Sequence, residues 1–248
     1  MKTTGNTIFI TGGTSGLGLG LALRWHALGN HVIIGGRRKE LLDQIATQHP
    51  GIDTVVLDVD DPASIQSAYD EVTTRYPDLN AILTMSGIMR PENLLDPSHV
   101  ETAEATITTN LLGTIRTIAT FTPWLATKPD ATILTVSSGL AFVPLSYTPT
   151  YNATKAAIHS YTQTLRLQLA GTGIQVIELI PPSVRTALMP GQETADHAQP
   201  LDEYLTDTID ILLTEPDVTE VVIDRVKFLR NAEPEGRLPE TIAALNSH

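Results

Sequence analysis

Short apolar runs alternate along this chain with longer segments of helical periodicity, in which apolar residues recur three or four positions apart. The runs are rich in Ile, Val and Leu, and they lie at 7–11, 31–36, 53–59, 79–88, 133–136 and 173–180. Strands that alternate with helices in this way form a parallel sheet with helices on both faces. The pattern therefore predicts a doubly wound α/β domain with six strands.

The chain after the sixth run has a different pattern. Residues 181–205 are Pro-rich, acidic and aperiodic. A long loop after a strand, beside the edge where ligands bind, predicts a substrate lid at about 186–205. Helical patterns return at 203–213 and 218–230, and the end of the chain is polar. The pattern therefore gives six strands and leaves open whether the tail adds a seventh.

Composition and charge narrow the class of protein. The 248 residues are 42% hydrophobic and 18% charged, which predicts one globular domain spanning 1–248. The formal charge of −12 argues against nucleic acids and membranes as partners, since both attract basic surfaces. The absence of cysteine excludes disulfides and thiolate catalysis. No apolar signal region and no run of 18 apolar residues is present, so a cytoplasmic protein is expected.

A glycine-rich turn, TGGTSGLG at 11–18, connects the first strand to a helical pattern. A strand, such a turn and a helix start direct backbone N–H groups and the positive end of the helix at a phosphate. Gly12 permits the tight turn, Gly16 lets a pyrophosphate approach, and Gly18 lets the helix pack on the strand. We therefore expect a dinucleotide site here. Its predicted contacts are Gly12, Thr14, Ser15, Gly16, Leu17 and Gly18.

The residues at the end of the second strand indicate which dinucleotide binds. In dinucleotide folds an acid at this place binds the adenosine ribose, whereas arginine accommodates a 2′-phosphate. Here Gly36 stands where the acid is expected, and Arg37 and Arg38 follow. The sequence therefore favours NADP(H) and leaves NAD(H) as the second choice. In the alternative interpretation, the arginines only decorate the exposed start of the next helix.

Two later strand ends complete the predicted cofactor site. Asp58 and Val59 end the third strand and are expected to line the adenine pocket, and Ser86 and Gly87 end the fourth strand, where small residues favour close approach of the cofactor. The acids at 58, 60 and 61 lack the glycine and glutamate of a calcium loop. The seven histidines show no metal-ligand spacing, so no metal site is predicted.

The stretch 133–170 carries the candidate chemistry: a strand that ends in Ser137 and Ser138, and a helical pattern that contains Tyr151 and Lys155. Residues four apart on a helix share a face, so we expect the ammonium beside the phenol. A cation about 4 Å away contributes about 4 kcal/mol at an effective dielectric constant of about 20, which suffices to lower a tyrosine pKa from about 10 to about 7. Tyr151 is therefore the candidate general acid and base. In the alternative interpretation, Lys155 is a solvated lysine beside a partly buried Tyr151, and the spacing would be the same.

A long helix is predicted at 99–126, and Asn110 lies inside it. Asparagine is a poor helix-interior residue, because its amide competes for backbone hydrogen bonds. A buried asparagine here needs polar partners. Such partners would be present if Asn110 served a functional site, and equally if its amide made a purely structural hydrogen bond.

With these residues assembled, residues 5–190 resemble the short-chain dehydrogenase/reductase family. The resemblance rests on the TGGTSGLG turn, the spacing of thirteen from Ser138 to Tyr151, the YNATK segment at 151–155, and Asn110 in the preceding helix. It implies a single Rossmann-like domain. It also implies hydride transfer between NADP(H) and a carbonyl or alcohol substrate.

The resemblance assigns roles position by position. Tyr151 matches the general acid and base, and Lys155 matches the residue that lowers its pKa and holds the nicotinamide ribose. Ser138 matches the hydroxyl that binds the substrate oxygen. Asn110 matches the amide that holds a water leading protons toward the lysine. The residues that match the segment touching the nicotinamide are Pro181, Val184 and Thr186.

The chain departs from the family pattern at several positions, and one of them is Pro182, which follows Pro181 in place of the usual glycine and stiffens the entry to the lid. Met85 replaces an asparagine that ties neighbouring strands together, which puts local sheet bonding in question. Arg37 matches the NADP(H)-selecting arginine, but Ser15 stands where some NADP-dependent members have a second basic residue. The family's last strand is not recognisable in the tail.

The sequence favours carbonyl reduction, in which Tyr151 protonates the substrate oxygen. The alternative is a non-catalytic dinucleotide-binding sensor or interaction protein on the same fold. A hydrolase ranks third, because no GxSxG motif is present. A homodimer through the helices that carry Asn110 and Tyr151 is expected. The residues expected to form a mostly apolar substrate pocket are Phe142, Val143, Leu188, Met189 and Tyr204.

Overall fold

The computed structural model describes residues 1–247, and the last residue of the predicted 1–248 domain lies outside them. The strands are β1 (Thr7–Thr11), β2 (His31–Gly36), β3 (Ile52–Val56), β4 (Leu79–Thr84), β5 (Thr132–Val136), β6 (Gln175–Leu179) and β7 (Glu220–Val221). The helices are α1 (Gly16–Ala27), α2 (Lys39–Gln48), α3 (Pro62–Arg75), α4 (His99–Thr106), α5 (Gly113–Leu125), α6 (Pro149–Gln168), α7 (Leu201–Thr214), α8 (Asp224–Arg230) and α9 (Leu238–Leu245). A π-helical segment, Ile107–Leu112, joins α4 to α5.

The strands form one parallel sheet in the order β3-β2-β1-β4-β5-β6-β7. Connections run in opposite directions from β1 and from β4, so the crevice for a ligand lies at the carboxyl ends of these two central strands. This arrangement confirms the predicted doubly wound, Rossmann-like α/β domain.

Two apolar layers, one on each face of the sheet, form the core. One layer packs α1, α2 and α7 on the sheet and includes Ile10 and Leu205. The other packs α3, α5 and α6 on the opposite face and includes Phe9 and Phe121. Because helices cover both faces, the central strands are apolar at nearly every position, which is why they read as continuous apolar runs in the sequence.

The sheet contains the seventh strand that the sequence left open. β7 extends it, with Glu220 opposite Glu178 and Val221 opposite Leu179. The helical pattern predicted at 218–230 covers both β7 and α8. A strand of two residues has no periodicity of its own, so its two positions merge with the pattern of the helix that follows. Helix α9 lies in the polar end of the chain, where no element was predicted.

The segment after β6 is a loop whose two ends are tied together. The Gln199 N–H donates to the Ser183 carbonyl at 2.9 Å, and the Arg185 N–H donates to the Gln199 carbonyl at 2.9 Å. Helix α7 begins at Leu201, so residues 201–205 of the predicted lid are helical. Within residues 1–247, no helix combines the length and apolarity that crossing a lipid bilayer requires.

Candidate active site

The carboxyl ends of the strands open into a cavity of about 750 Å³, a size typical of sites for small molecules and cofactors. Every residue predicted to contact a dinucleotide lines this cavity. They are Gly12, Thr14, Ser15, Gly16, Leu17, Gly18, Arg37, Arg38, Asp58, Val59, Ser86, Gly87, Tyr151, Lys155, Pro181, Val184 and Thr186. Residues far apart in the chain therefore surround one space, as expected when a ligand binds at the carboxyl ends of parallel strands.

The glycine-rich turn brings the backbone close to the cavity. Gly12 has φ +68°, and a Cβ there would lie 2.8 Å from the Cα of Ser86, so only glycine fits. A Cβ on Gly18 would lie 2.4 Å from the carbonyl oxygen of Gly12, so α1 starts directly against the turn. In the described chain the Ser15 side chain makes no capping hydrogen bond, and the first turn of α1 contains no acid. The positive helix end is thus available to an anion, which fits a pyrophosphate.

The Thr11 side chain contacts the backbone of Met85 and Ser86. Its hydroxyl oxygen accepts the Met85 N–H at 3.2 Å and the Ser86 N–H at 3.3 Å. These bonds tie the end of β1 to the segment after β4, at the point where the crevice opens. β1 and the segment after β4 are therefore bonded to each other with Met85 at this position.

The end of β2 has no room for an acidic side chain. A Cβ on Gly36 would lie 2.5 Å from the Thr14 Cγ2. Arg37 is well exposed, and its guanidinium lies 3.8 Å from a carboxylate oxygen of Asp60. Arg38 immediately precedes α2, as the alternative interpretation supposed, yet both arginines line the cavity. The site at this strand end is therefore basic and lacks the ribose-binding acid.

Helix α6 positions the candidate acid. Pro149 is its first residue, and Glu92 caps it by accepting the Thr150 N–H at 2.9 Å and the Thr150 hydroxyl at 2.6 Å. This start places Tyr151 and Lys155 in the first two turns, and both line the cavity with Ser138. The Ser138 hydroxyl oxygen accepts the Leu140 N–H at 3.1 Å, which begins a short 3₁₀ turn after β5.

The phenol and the amine share the cavity but are not paired as expected. The Lys155 amine donates to the Val136 carbonyl oxygen at 2.8 Å, and it lies 5.5 Å from the centre of the Tyr151 ring. Burial raises the pKa of Tyr151 to about 12, and the hydrogen bond with Ser138 opposes that rise. The predicted lowering of this pKa by Lys155 is therefore wrong for this arrangement, because the amine is committed to Val136 and desolvation of the phenolate dominates.

The pKa of Lys155 is shifted as well. Burial lowers the pKa of Lys155 to about 8, and the Glu178 carboxylate acts in the opposite direction. The amine therefore keeps its proton at neutral pH, though by a narrow margin for a lysine.

Asn110 lies in the π-helical segment within the predicted 99–126 helix. Its amide accepts the Ile88 N–H at 2.8 Å and donates to the Ile88 carbonyl at 2.9 Å and the Thr154 hydroxyl at 3.3 Å. The side chain thus holds the segment after β4 against α6, behind the cavity wall. This geometry matches the structural amide bond that the sequence left open, and the proton-relay role stays a prediction.

The predicted apolar pocket assembles only in part, since Leu188 alone of its five residues lines the cavity. Tyr204 is 1% exposed in the core, and Val143 is fully buried. Phe142 packs instead against the His159 ring at 4.7 Å. Aperiodic loop sequence does not reveal which side chains turn inward, because packing against distant elements decides it.

Sequence reasoning missed several residues that line the cavity. Asp60 lies beside Arg37, and one of its carboxylate oxygens is buried without a hydrogen-bond partner among the described residues. Met89 and Arg90 line the cavity just after Gly87. Their position a few residues beyond a strand end was the available signal.

Known proteins that are similar to this chain are oxidoreductases by description. The model of the family described as short chain dehydrogenase matches residues 6–197. The Bacillus subtilis protein described as uncharacterized oxidoreductase DltE is 38% identical over 246 residues, which cover 94% of this chain and 93% of that protein. A Staphylococcus epidermidis protein described as uncharacterized oxidoreductase SERP2049 is 28% identical, with 86% of this chain and 94% of that protein covered.

Two solved structures share the fold. A short chain dehydrogenase from Burkholderia cenocepacia in complex with NADP has a TM-score of 0.82 at 23% identity, with 98% of each chain covered. An alcohol dehydrogenase from Thermococcus sibiricus complexed with 5-hydroxy-NADP has a TM-score of 0.77 at 24% identity, with 87% of this chain and 94% of that chain covered.

Proposed function

The chain belongs to the short-chain dehydrogenase family, and from that premise we propose that it transfers hydride between NADP(H) and a carbonyl or alcohol substrate. One observation carries the proposal. Ser138, Tyr151 and Lys155 line the same cavity as the glycine-rich turn and Arg37. A binding protein has no need of a hydroxyl, a phenol and an amine beside a dinucleotide site.

Different residues of the cavity bind different parts of the cofactor. The glycine-rich turn and the start of α1 bind the pyrophosphate, Arg37 and Arg38 bind the 2′-phosphate, and Asp58 and Val59 contact the adenine. The residues proposed for the nicotinamide half are Ser86, Gly87, Pro181, Val184 and Thr186. When bound, the nicotinamide supplies or accepts the hydride. NADP and 5-hydroxy-NADP in the two similar structures support a phosphorylated dinucleotide.

The protein's own groups handle the substrate oxygen. In reduction, Tyr151 donates its proton to the oxygen as negative charge develops there, and Ser138 donates a hydrogen bond to the same atom. A buried phenol with a pKa of about 12 is protonated at neutral pH but is a weak acid, so its proton transfer depends on stabilisation of the phenolate. The Lys155 ammonium stabilises the phenolate left behind, since its charge acts through a partly desolvated site.

Three further assignments belong to this proposal. The 186–205 segment acts as a substrate lid, because Thr186 lies against Gly16 and the loop's ends are tied at Ser183 and Gln199. Asn110 supports catalysis by holding Ile88 and α6 in place. The protein works in the cytoplasm, where nicotinamide dinucleotides are supplied.

A homodimer also belongs to the proposal. Val100, Ile107 and Leu112 lie along the continuous α4–α5 helical segment, and each is more than a third exposed. Apolar side chains on one helical surface are typical of a surface covered by a partner. Sedimentation velocity would test this directly, and a monomer at micromolar concentration would contradict it.

The activity is tested by titrating the protein with NADPH and NADH, followed by nicotinamide fluorescence, and then by a panel of carbonyl compounds followed by loss of nicotinamide absorbance. We expect tighter NADPH binding and turnover of at least one carbonyl class. In Tyr151→Phe, NADPH binding should persist while turnover is lost. Retained turnover in Tyr151→Phe would remove the proposed acid, and tight NADPH binding without turnover across the panel would favour the sensor.

A further inference from the structure

A polar stripe faces the sheet along α6, in the middle of an otherwise apolar contact. Lys155, His159, Thr162 and Arg166 are spaced so that they share one helical face, and each meets a group on β5 or β6. Lys155 bonds the Val136 carbonyl, His159 the Glu178 carboxylate, Thr162 the Thr135 hydroxyl, and Arg166 the Val176 carbonyl. The proposed function uses only the first of these four contacts.

Glu178 is the unexpected member of this contact. It lies on β6 between Ile177 and Leu179, and it is 0% exposed. A buried carboxylate is costly unless it is paired and hydrogen-bonded. Both its oxygens lie 2.9 Å from Nδ1 of His159. Sequence reasoning took 173–180 as an apolar strand, although a single acid inside it was the visible signal.

The hydrogen bonds of His159 define which ring nitrogen faces Glu178. Its Nε2 lies 3.0 Å from the amide nitrogen of Gln163, which only donates, so Nε2 accepts. Nδ1 then carries the hydrogen and donates to Glu178. The imidazole thus holds the carboxylate in place against α6.

The nearby acid has a cation of its own. Glu220, opposite Glu178 on β7, receives two hydrogen bonds from the Arg230 guanidinium, at 2.9 and 3.2 Å. Ligand atoms of His159, Glu178 and Glu220 lie within 4.8 Å of one another. Because Arg230 and His159 already engage the carboxylates, this cluster is satisfied without an added cation.

Lys155 is the remaining cation that faces Glu178. Its amine bonds the Val136 carbonyl, next to Thr135, and Thr135 lies opposite Glu178 in the β5–β6 register. Neighbouring strands are about 4.8 Å apart, so the carboxylate and the amine face the same α6–sheet interface. The titratable and charged groups on α6 and on the elements around it include Tyr151, His159, Tyr161, Arg166, Glu178, Glu220, Arg230, Glu92, and His99 with the exposed Glu101 and Glu104 of α4.

We propose that Glu178, oriented by His159, is a positioning residue for the reaction: its buried carboxylate keeps the Lys155 amine protonated and thereby sets the alkaline limit of activity. The inference rests on the proposed function, in which Lys155 acts as an ammonium. Burial alone favours the neutral amine, and the pKa of Lys155 is lowered to about 8 by burial while Glu178 opposes that lowering. Without the carboxylate, the amine would lose its proton nearer to neutral pH.

The test titrates Lys155 directly in protein labelled with ¹³Cε-lysine. The chain has five lysines, and the signal lost in Lys155→Arg identifies the residue. Glu178→Gln keeps the shape and the acceptor for His159 but removes the charge. We expect a midpoint near pH 8 in the wild-type protein and a midpoint lower by about one pH unit in Glu178→Gln.

Thr135→Val is the matched control, since it removes a buried hydroxyl from the same interface without changing the charge. Its Lys155 midpoint should equal that of the wild-type protein. If Glu178→Gln does not fold, Glu178→Leu/His159→Leu replaces the whole pair with apolar side chains, a change that is often neutral for stability. The same downward movement of the midpoint is expected there.

The alkaline limb of kcat/KM should move to lower pH by the same amount in Glu178→Gln and stay unchanged in Thr135→Val. An unchanged Lys155 midpoint in the charge-removing variants would overturn the inference, whatever the turnover. A lowered midpoint in protein that turns over no carbonyl would uphold the electrostatic relationship and overturn the proposed function instead.

Discussion

The amine of Lys155 donates a 2.8 Å hydrogen bond to the carbonyl oxygen of Val136, the last residue of β5. This bond joins α6 to the strand end that leads into Ser138. Tyr151 stands one helical turn before Lys155, so the same bond fixes the phenol relative to the serine hydroxyl. It also holds the ammonium in a buried position, which has a measurable consequence for stability.

Replacing Lys155 with methionine should change how stability depends on pH. The pKa of Lys155 is lowered from 10.5 to about 8, chiefly by burial. Between these pH values the unfolded chain binds more protons than the folded protein, so the lysine's contribution to stability rises with pH. The wild-type protein should therefore gain up to about 3 kcal/mol over Lys155→Met between pH 7 and pH 10. Urea unfolding at both pH values measures this, and exposed Lys227→Met is the control that should show no such gain.

Arg37→Ala should weaken NADPH binding selectively. A charge-assisted hydrogen bond to a phosphate contributes about 1.5–3 kcal/mol, so the Kd for NADPH should rise about tenfold or more. The Kd for NADH, which lacks the 2′-phosphate, should stay nearly constant. Fluorescence titration with both dinucleotides measures the ratio. Lys39→Ala removes a neighbouring cation that is paired with Asp43, and a similar loss in that control would point to general charge attraction rather than a specific contact.

A switch toward NADH should require two substitutions. Gly36→Asp alone supplies the ribose-binding acid, but its Cβ would lie 2.5 Å from the Thr14 Cγ2. Thr14→Ser removes that methyl group and keeps the hydroxyl. We expect Gly36→Asp to lower stability and weaken binding of both dinucleotides, and Gly36→Asp/Thr14→Ser to recover stability and prefer NADH. If the single and double variants are equally stable in thermal unfolding, the contact with Thr14 does not destabilise an aspartate at position 36.

Thr11→Val should weaken the attachment of the segment after β4 to the end of β1. It leaves the N–H groups of Met85 and Ser86 without their shared acceptor, and an unsatisfied buried donor costs about 1–3 kcal/mol. Urea unfolding should show a loss of that size, and NADPH binding should weaken because Ser86 lines the cavity. Thr11→Ser keeps the hydroxyl and should retain most of the stability. Equal losses in the two variants would show that the hydrogen bonds of the Thr11 hydroxyl are not the source of the stability at this position.

The parts of this fold that local sequence predicts are those whose physical requirement is local. The run at 7–11 is apolar because both faces of β1 are covered, and Gly12 is required by a backbone with φ +68°. Arg37 and Arg38 at the end of β2 and the spacing of Tyr151 and Lys155 were also predictable, because each depends only on nearby residues in the chain. β7 was not predictable, because Glu220 and Val221 become a strand only by pairing with Glu178 and Leu179, about forty residues earlier in the chain.

The sequence by itself determined the α/β class, the glycine-rich turn and which strand ends the cofactor contacts follow, since helical and strand periodicity and backbone freedom are properties of neighbouring residues. Tertiary structure alone decided where the Lys155 amine points, what Asn110 holds, and that His159 meets Glu178. Each of these depends on the packing of α6, or of the segment before α5, against distant strand ends. Burial in that interface, rather than spacing along the helix, sets the charges of the phenol and the amine.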